Sequence, residues 1–127
     1  KDNVGAIVSF SGHVREFSKD KKLKYLEIEH YPGMTEKALE DIEKKAMKNW
    51  DVADIRIVHR VGRLLPKDLI VGVIVSSMHR SNAFKACEFV IDFLKTDAPF
   101  WKKEISEDSE NWVDERQEDI IKKTNWN

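Results

Sequence analysis

From residue 4 to residue 14 the chain alternates: Val4, Ala6, Val8 and Phe10 fall on one face, with Gly5, Ile7 and Ser9 on the other. A period of two predicts a strand, and Gly12 near its end marks a bulge. Residues 15–22, REFSKDKK, read as a charged, mobile loop. Alternation resumes over residues 23–31, with Leu26, Ile28 and His30 on one face and Tyr25, Glu27 and Glu29 on the other. The two strands are expected to pair as an antiparallel hairpin. Pro32-Gly33 is a turn signal. The period then changes: Ala38, Leu39, Ile42, Ala46 and Trp50 form a helical stripe over residues 34–50, with Thr35 as the expected N-cap.

Residues 53–61 predict a third strand, with Ile55, Ile57, His59 and Val61 on one face. GRLLPKD, residues 62–68, reads as a turn region. Leu69–Ser77 is almost wholly apolar and β-branched, the pattern of a central strand buried on both faces; Gly72 within it allows a bulge or a close backbone approach. A second helix is predicted over residues 81–96, with a wide apolar face of Ala83, Phe84, Cys87, Val90, Ile91 and Leu94. Pro99 stops it. Residues 100–105 read as a strand, 111–116 as a further extended piece, and the tail from Gln117 as loosely ordered. This order implies an α+β fold in one domain spanning residues 1–127, a mostly antiparallel sheet with two main helices packed on it.

Composition narrows the functions open to such a fold. Charged residues are 35% and hydrophobic residues 41%, which supports a core under a charged surface. A net charge of −1 gives no global field to draw the chain onto nucleic acid or lipid. Cys87 is the single cysteine, which excludes an intrachain disulfide and a cysteine metal set and points to a reduced, cytoplasmic setting. No apolar run reaches the roughly 18 residues of a membrane span, and no signal peptide is visible. The first residue is Lys1 rather than methionine, so some N-terminal sequence is expected to be missing.

The segment around SSMHRSNAF carries the first candidate chemistry. His79 and Arg80 stand where the central strand hands over to the second helix, and helix N-termini favour anions. Lys95 comes in the last turn, and Lys102 and Lys103 follow Pro99. These groups are expected to converge at one end of the fold as an anion pocket, with Phe93, Phe100 and Trp101 limiting water around Lys95. The four histidines lack metal-ligand spacing, and His30 and His59 read as half-buried, satisfied side chains. Cys87, mid-helix among apolar residues, reads as core. Glu27 and Glu29 read as a solvated strand face.

The segments EHYPGMTEKAL, VHRVGRL, MHRSNAF and DFLKTDAPFWKKE closely resemble the large, catalytic subunit of molybdopterin synthase, and the likeness runs from Gly5 to Arg116. It implies an α/β hammerhead-like fold. It also implies a sulfurtransferase that converts cyclic pyranopterin monophosphate (precursor Z) into the molybdopterin dithiolene. The two sulfurs come from a thiocarboxylate on the C-terminus of a ubiquitin-like small subunit, with no cofactor. Two large subunits form a homodimer, and a small subunit binds at each end to make a heterotetramer. By resemblance the site residues are Lys95 and Lys102 as catalytic groups, with Arg15, His79, Arg80, Phe10 and Arg116 binding substrate, Arg116 across the dimer interface. After Arg15 this chain has Glu16-Phe17-Ser18 where relatives carry Asn-rich loops. The rival from another class is a non-catalytic module that binds a ubiquitin-like tail or a phosphorylated ligand through the same basic cluster.

Overall fold

The computed structural model describes residues 3–107, 109–113, 122–123 and 126. Its strands fall into two sheets in which every pairing is antiparallel. The first contains β1 (Ala6–His13), β4 (Asp54–His59) and, between them, β6 (Leu69–Ser77). Helices α1 (Met34–Asn49) and α2 (Arg80–Thr96) cover one face of it. Ile55, Val73 and Val75 meet Ala83, Ala86, Cys87 and Val90 of α2 and Ile42 and Ala46 of α1. The small residues on α2 let the helix lie close to the strands, and each large aliphatic so buried stabilises the fold by about 1.5–3 kcal/mol.

In the second sheet, β3 (Lys21–His30) carries β2 (Phe17–Ser18) and β5 (Gly62–Leu64) along one edge and β7 (Phe100–Ser106) along the other, and β8 (Glu110–Val113) pairs outside β7. Its core is small: Val14, Leu26, Ile28 and Leu64, with Ile70 and Phe100 packed against it. The sheets are joined through β6. The β1–β6 register slips between Gly12, opposite Val71, and His13, opposite Leu69, leaving Ile70 as the extra residue. This bulge lets Val71 pack on the first core while Ile70 turns to the second.

Backbone geometry fixes two glycines. Gly33 has φ of 86°, which the turn after Pro32 requires, and it caps α1 while its N–H donates to the Glu36 carboxylate. A Cβ on Gly5 would lie 2.4 Å from the Met78 carbonyl oxygen, so β1 enters the sheet through a gap only glycine fits.

Several sequence expectations are corrected. β1 and β3 do not form a hairpin but sit in different sheets. Residues 15–22 contain β2, closed onto β3 by Lys19 and Asp20, both with positive φ, as two-residue hairpin turns demand. Thr35 is not the N-cap; it lies inside α1, buried, and its hydroxyl donates to the Tyr31 carbonyl at 2.7 Å. The turn region 62–68 contributes β5. β6 is central but buried on one face only, since Ile74 is 49% exposed, and Gly72 makes no close approach. Phe84 is exposed, and Phe89 and Phe93 hold the buried aromatic positions of α2. Of the extended piece 111–116, residues 111–113 belong to β8 and the rest lie outside the described residues. In the tail, Trp126 packs onto Trp50 and Phe89.

Candidate active site

Where the last turns of α2 lie over the seam between the sheets, a pocket of about 460 Å³ opens. Phe10 and Val71 of the first sheet, Leu26 of the second, and Ile91 and Leu94 of α2 give it an apolar wall. Its charged rim is Arg15, Lys95 and Lys102 against Glu104. Among the described residues, that rim sets three cations against one carboxylate.

Each cation is placed by a local feature of the chain. Arg15 follows the end of β1, where the buried Val14 is tied to the turn before β6: its N–H donates to Asp68 O at 2.9 Å, and its carbonyl accepts from Lys67 N at 2.8 Å. One residue beyond Arg15, Glu16 O accepts from Leu23 N at 2.8 Å, so the backbone is anchored on both sides. Lys95 stands in the last turn of α2, where the helix dipole favours a cation. The Asp97 N–H closes that turn on Phe93 O at 2.8 Å, and Phe100 N then donates to Ala98 O at 2.8 Å as the chain reverses around Pro99. The reversal brings β7 back under the helix end. On β7 side chains alternate, so Phe100, Lys102 and Glu104 share the pocket face. Glu104 is steadied by Ser18, whose hydroxyl donates to Oε1 at 2.9 Å.

The other face of β7 takes Lys103 away from the pocket. Its ammonium pairs with Glu110 at 3.0 Å, which raises its pKa, and lies 5.2 Å from the Trp112 ring centroid. Trp101 leans on Tyr31. Phe93 lies in the first core, so of the three aromatics expected to dry Lys95 only Phe100 lines the pocket, and Lys95 itself is exposed.

His79 and Arg80 are not in this pocket. They begin α2, an element of 17 residues and therefore roughly 25 Å long, and Lys95 is at its other end. The expected convergence of the two helix ends within one chain is wrong. Both side chains are exposed, and His79 caps α2 without a side-chain hydrogen bond to it. Arg116 lies outside the described residues.

Two pocket residues escape sequence reasoning in whole or part. His13 lines the pocket with Nδ1 donating to Lys67 O at 3.0 Å and Nε2 3.1 Å from the Ser11 hydroxyl. His59 is half-buried, as its alternation predicts, but its surroundings are the pocket. Its ring stacks on Phe100, with centroids 3.7 Å apart and planes 12° from parallel. Burial pushes its pKa from 6.5 down to about 4; the hydrogen bond to the Arg60 carbonyl opposes this, and the charges of Lys102 and His30 reinforce it. Among the described residues, no group of three or more His, Cys, Asp or Glu side chains is placed to hold a metal.

Residues 1–97 match the family model described as MoaE protein. The chain belongs to the MoaE family. It is 48% identical to the molybdopterin synthase catalytic subunit of Ralstonia nicotianae over 126 residues, 99% of this chain and 72% of that one. With the subunit of the same name from Escherichia coli K12 it shares 44% over 126 residues, 99% of this chain and 84% of the other. Among solved structures, molybdopterin synthase from Staphylococcus aureus superposes with a TM-score of 0.86 at 43% identity, covering 90% of this chain and 83% of that one. A protein–protein complex of subunits 1 and 2 of molybdopterin-converting factor from Helicobacter pylori matches with a TM-score of 0.74 at 25% identity, covering 91% and 75%. The MoaE chain is thus an α+β sulfurtransferase with the catalytic role in molybdenum cofactor biosynthesis.

Proposed function

We propose that the pocket at the end of α2 binds cyclic pyranopterin monophosphate and receives the C-terminal thiocarboxylate of a ubiquitin-like small subunit, whose sulfur is delivered twice to form the dithiolene. The observation that carries this reading is the meeting of Arg15, Lys95 and Lys102 on one pocket with an apolar wall. A phosphate and a thiocarboxylate are both anions. The three side chains offer only N–H donors, which suits both. The pocket's volume lies within the range of about 300–1,000 Å³ common for small-molecule sites. No cysteine is required, because the partner brings the sulfur; Cys87 is buried in the first core, and its burial raises the thiol pKa.

Lys95 stabilises the thiocarboxylate as its sulfur displaces an oxygen substituent from the pterin carbon to give a thioester, and then the oxyanion that forms when water hydrolyses that thioester, leaving a carboxylate on the tail and a thiol on the pterin. Lys102 supports it from β7, and Arg15 and Phe10 hold the substrate. His79 and Arg80 bind phosphate from a second copy of the chain. The separation of the two ends of α2 supports that arrangement, because a homodimer can bring one chain's helix start to the other's helix end. Arg116 is assigned to the same interface. The exposed rings of Trp101 and Trp112 support a protein-binding surface on the second sheet, and the Helicobacter pylori complex is a precedent for a two-subunit assembly. The whole chain, residues 1–127, then works as one catalytic domain in the cytoplasm. Among the described residues, no helix is long and apolar enough to cross a membrane.

The deciding experiment mixes the protein with thiocarboxylated small subunit and cyclic pyranopterin monophosphate and assays the dithiolene product. Product that depends on all three components supports the reading. Tight binding of the small subunit with no product would favour the tail-binding module instead.

A further inference from the structure

The donors of this pocket leave one requirement unmet. Arg15, Lys95 and Lys102 can hold an anion but cannot accept a hydrogen bond. A nitrogen heterocycle such as a pterin carries N–H groups, and one left unpaired in a closed site costs affinity. Glu104 gives Oε1 to Ser18 and keeps Oε2 as a charged acceptor, and His13 is engaged through both ring nitrogens.

His59 is different. Its Nδ1 lies 2.8 Å from the Arg60 carbonyl oxygen, which can only accept, so Nδ1 carries the proton and Nε2 has a bare lone pair. Among the described residues no hydrogen bond falls on Nε2, and no fully enclosed side-chain nitrogen or oxygen lacks a partner, so Nε2 is not sealed off, and the residue lines the pocket. Two constraints fix the ring: the Arg60 carbonyl at one edge and Phe100 flat against one face. Its backbone is held as well, since His59 pairs with Val71 at the end of β4. The stack therefore joins β4 of the first sheet to β7 of the second, across the seam where the pocket opens.

We propose that His59 determines substrate specificity in this pocket by accepting, at Nε2, a hydrogen bond from an N–H of the bound heterocycle, while Arg15 and the lysines hold the anionic groups. A pKa of about 4 keeps the ring neutral near pH 7 and makes it a poor general base there, which fits reading a donor rather than moving a proton. The proposal rests on the substrate reading above.

Two ligands measured by equilibrium binding test it: cyclic pyranopterin monophosphate and inorganic phosphate, each against wild type, His59→Phe and His59→Gln. Phe keeps a flat ring on Phe100 and removes the acceptor; Gln restores one. His59→Phe should raise the Kd for the pterin roughly 3- to 10-fold, the worth of one neutral hydrogen bond. It should leave inorganic phosphate unchanged, and His59→Gln should recover part of the loss. Equal pterin affinity in wild type and His59→Phe overturns the assignment while the substrate reading stands. An equal loss for both ligands overturns it too, since His59 would then only shape the pocket. If wild type does not bind the pterin, both readings fall. Should His59→Phe fail to fold, ¹⁵N NMR of wild type decides: the Nε2 resonance of His59 should move on adding the pterin and not on adding phosphate, and an unmoved resonance rejects the role.

Discussion

The indole Nε1 of Trp126 donates a 2.7 Å hydrogen bond to Oδ2 of Asp92, one turn before Lys95 on α2. Asp92 is only 5% exposed, and this bond satisfies one oxygen of a buried carboxyl group. Lys123 reinforces the clamp by pairing with Asp97, the residue that caps the same helix. The end of the chain thus holds the end of the helix that presents Lys95.

Trp126→Ala should therefore destabilise the protein by about 2–4 kcal/mol, from lost ring packing on Trp50 and Phe89 and from leaving Asp92 without its donor. Urea denaturation measures this. Asp92→Asn, which keeps an acceptor for the indole, should cost less. Equal losses would show that the acceptor at position 92 contributes nothing to the difference.

Lys95→Ala should fold normally, with stability within about 0.5 kcal/mol of wild type, because the side chain is exposed. Its single-turnover rate of product formation should fall about 10²–10⁴-fold at saturating substrate and small subunit. Lys102→Ala should lose less. Lys95→Arg should bind the small subunit as wild type does but stay well below it in rate, since a planar guanidinium does not replace a compact ammonium. A Lys95→Ala enzyme with near-normal turnover would remove Lys95 from the chemistry.

Mixing Lys95→Ala with Arg80→Ala protein tests whether two copies build one site. Each variant alone should be impaired at every site. With random exchange half the dimers are mixed, and one of their two sites is intact, so activity should recover to about a quarter of the wild-type value. No recovery after verified exchange would reject a site shared between two copies, and an unimpaired Arg80→Ala protein would place Arg80 outside the reaction.

Acid should weaken the fold through His59. Its folded pKa, about 4, lies below the ordinary 6.5, so between those values the unfolded chain binds the proton that the folded ring refuses. The contribution is fully present above pH 6.5 and is lost as pH falls toward 4. Glu43 acts in the opposite sense, because burial, first of all, raises its carboxyl pKa above 4.5. The difference between wild type and His59→Phe isolates the histidine: the variant's stability should fall less between pH 6.5 and pH 4. Parallel curves would show that the ring is not held neutral.

Gly5→Ala should destabilise by about 1–3 kcal/mol, because the new Cβ meets backbone rather than a side chain that can move. Thermal unfolding reads it directly.

Elements governed by local periodicity were legible in the sequence. Both helices, β6 and the strand after Pro99 follow from spacing alone. Strand partners were not, because adjacency in sequence suggested β1 with β3, whereas Ser9 pairs with Ile74 and Glu27 with Lys103. The site divides the same way. Parity along β7 could have separated Lys102 from Lys103, since alternate residues face opposite sides. The distance from Arg80 to Lys95 was also available as a helix length, and it contradicted convergence within one chain. His59 carries no sequence sign of its place, because the seam it lines exists only once the two sheets are assembled.

The bulge at Ile70 sets where this chain can tolerate a change of length. Deleting Ile70 would make the β1–β6 ladder regular and turn Leu69 and the residues before it to the opposite face, pulling the anchor of Arg15 out of position. The Lys19-Asp20 tip, by contrast, joins a two-residue strand to β3 at the surface, and additions there leave every core contact in place. Across relatives, insertions and deletions should gather at that hairpin tip and be absent from the few residues around the bulge.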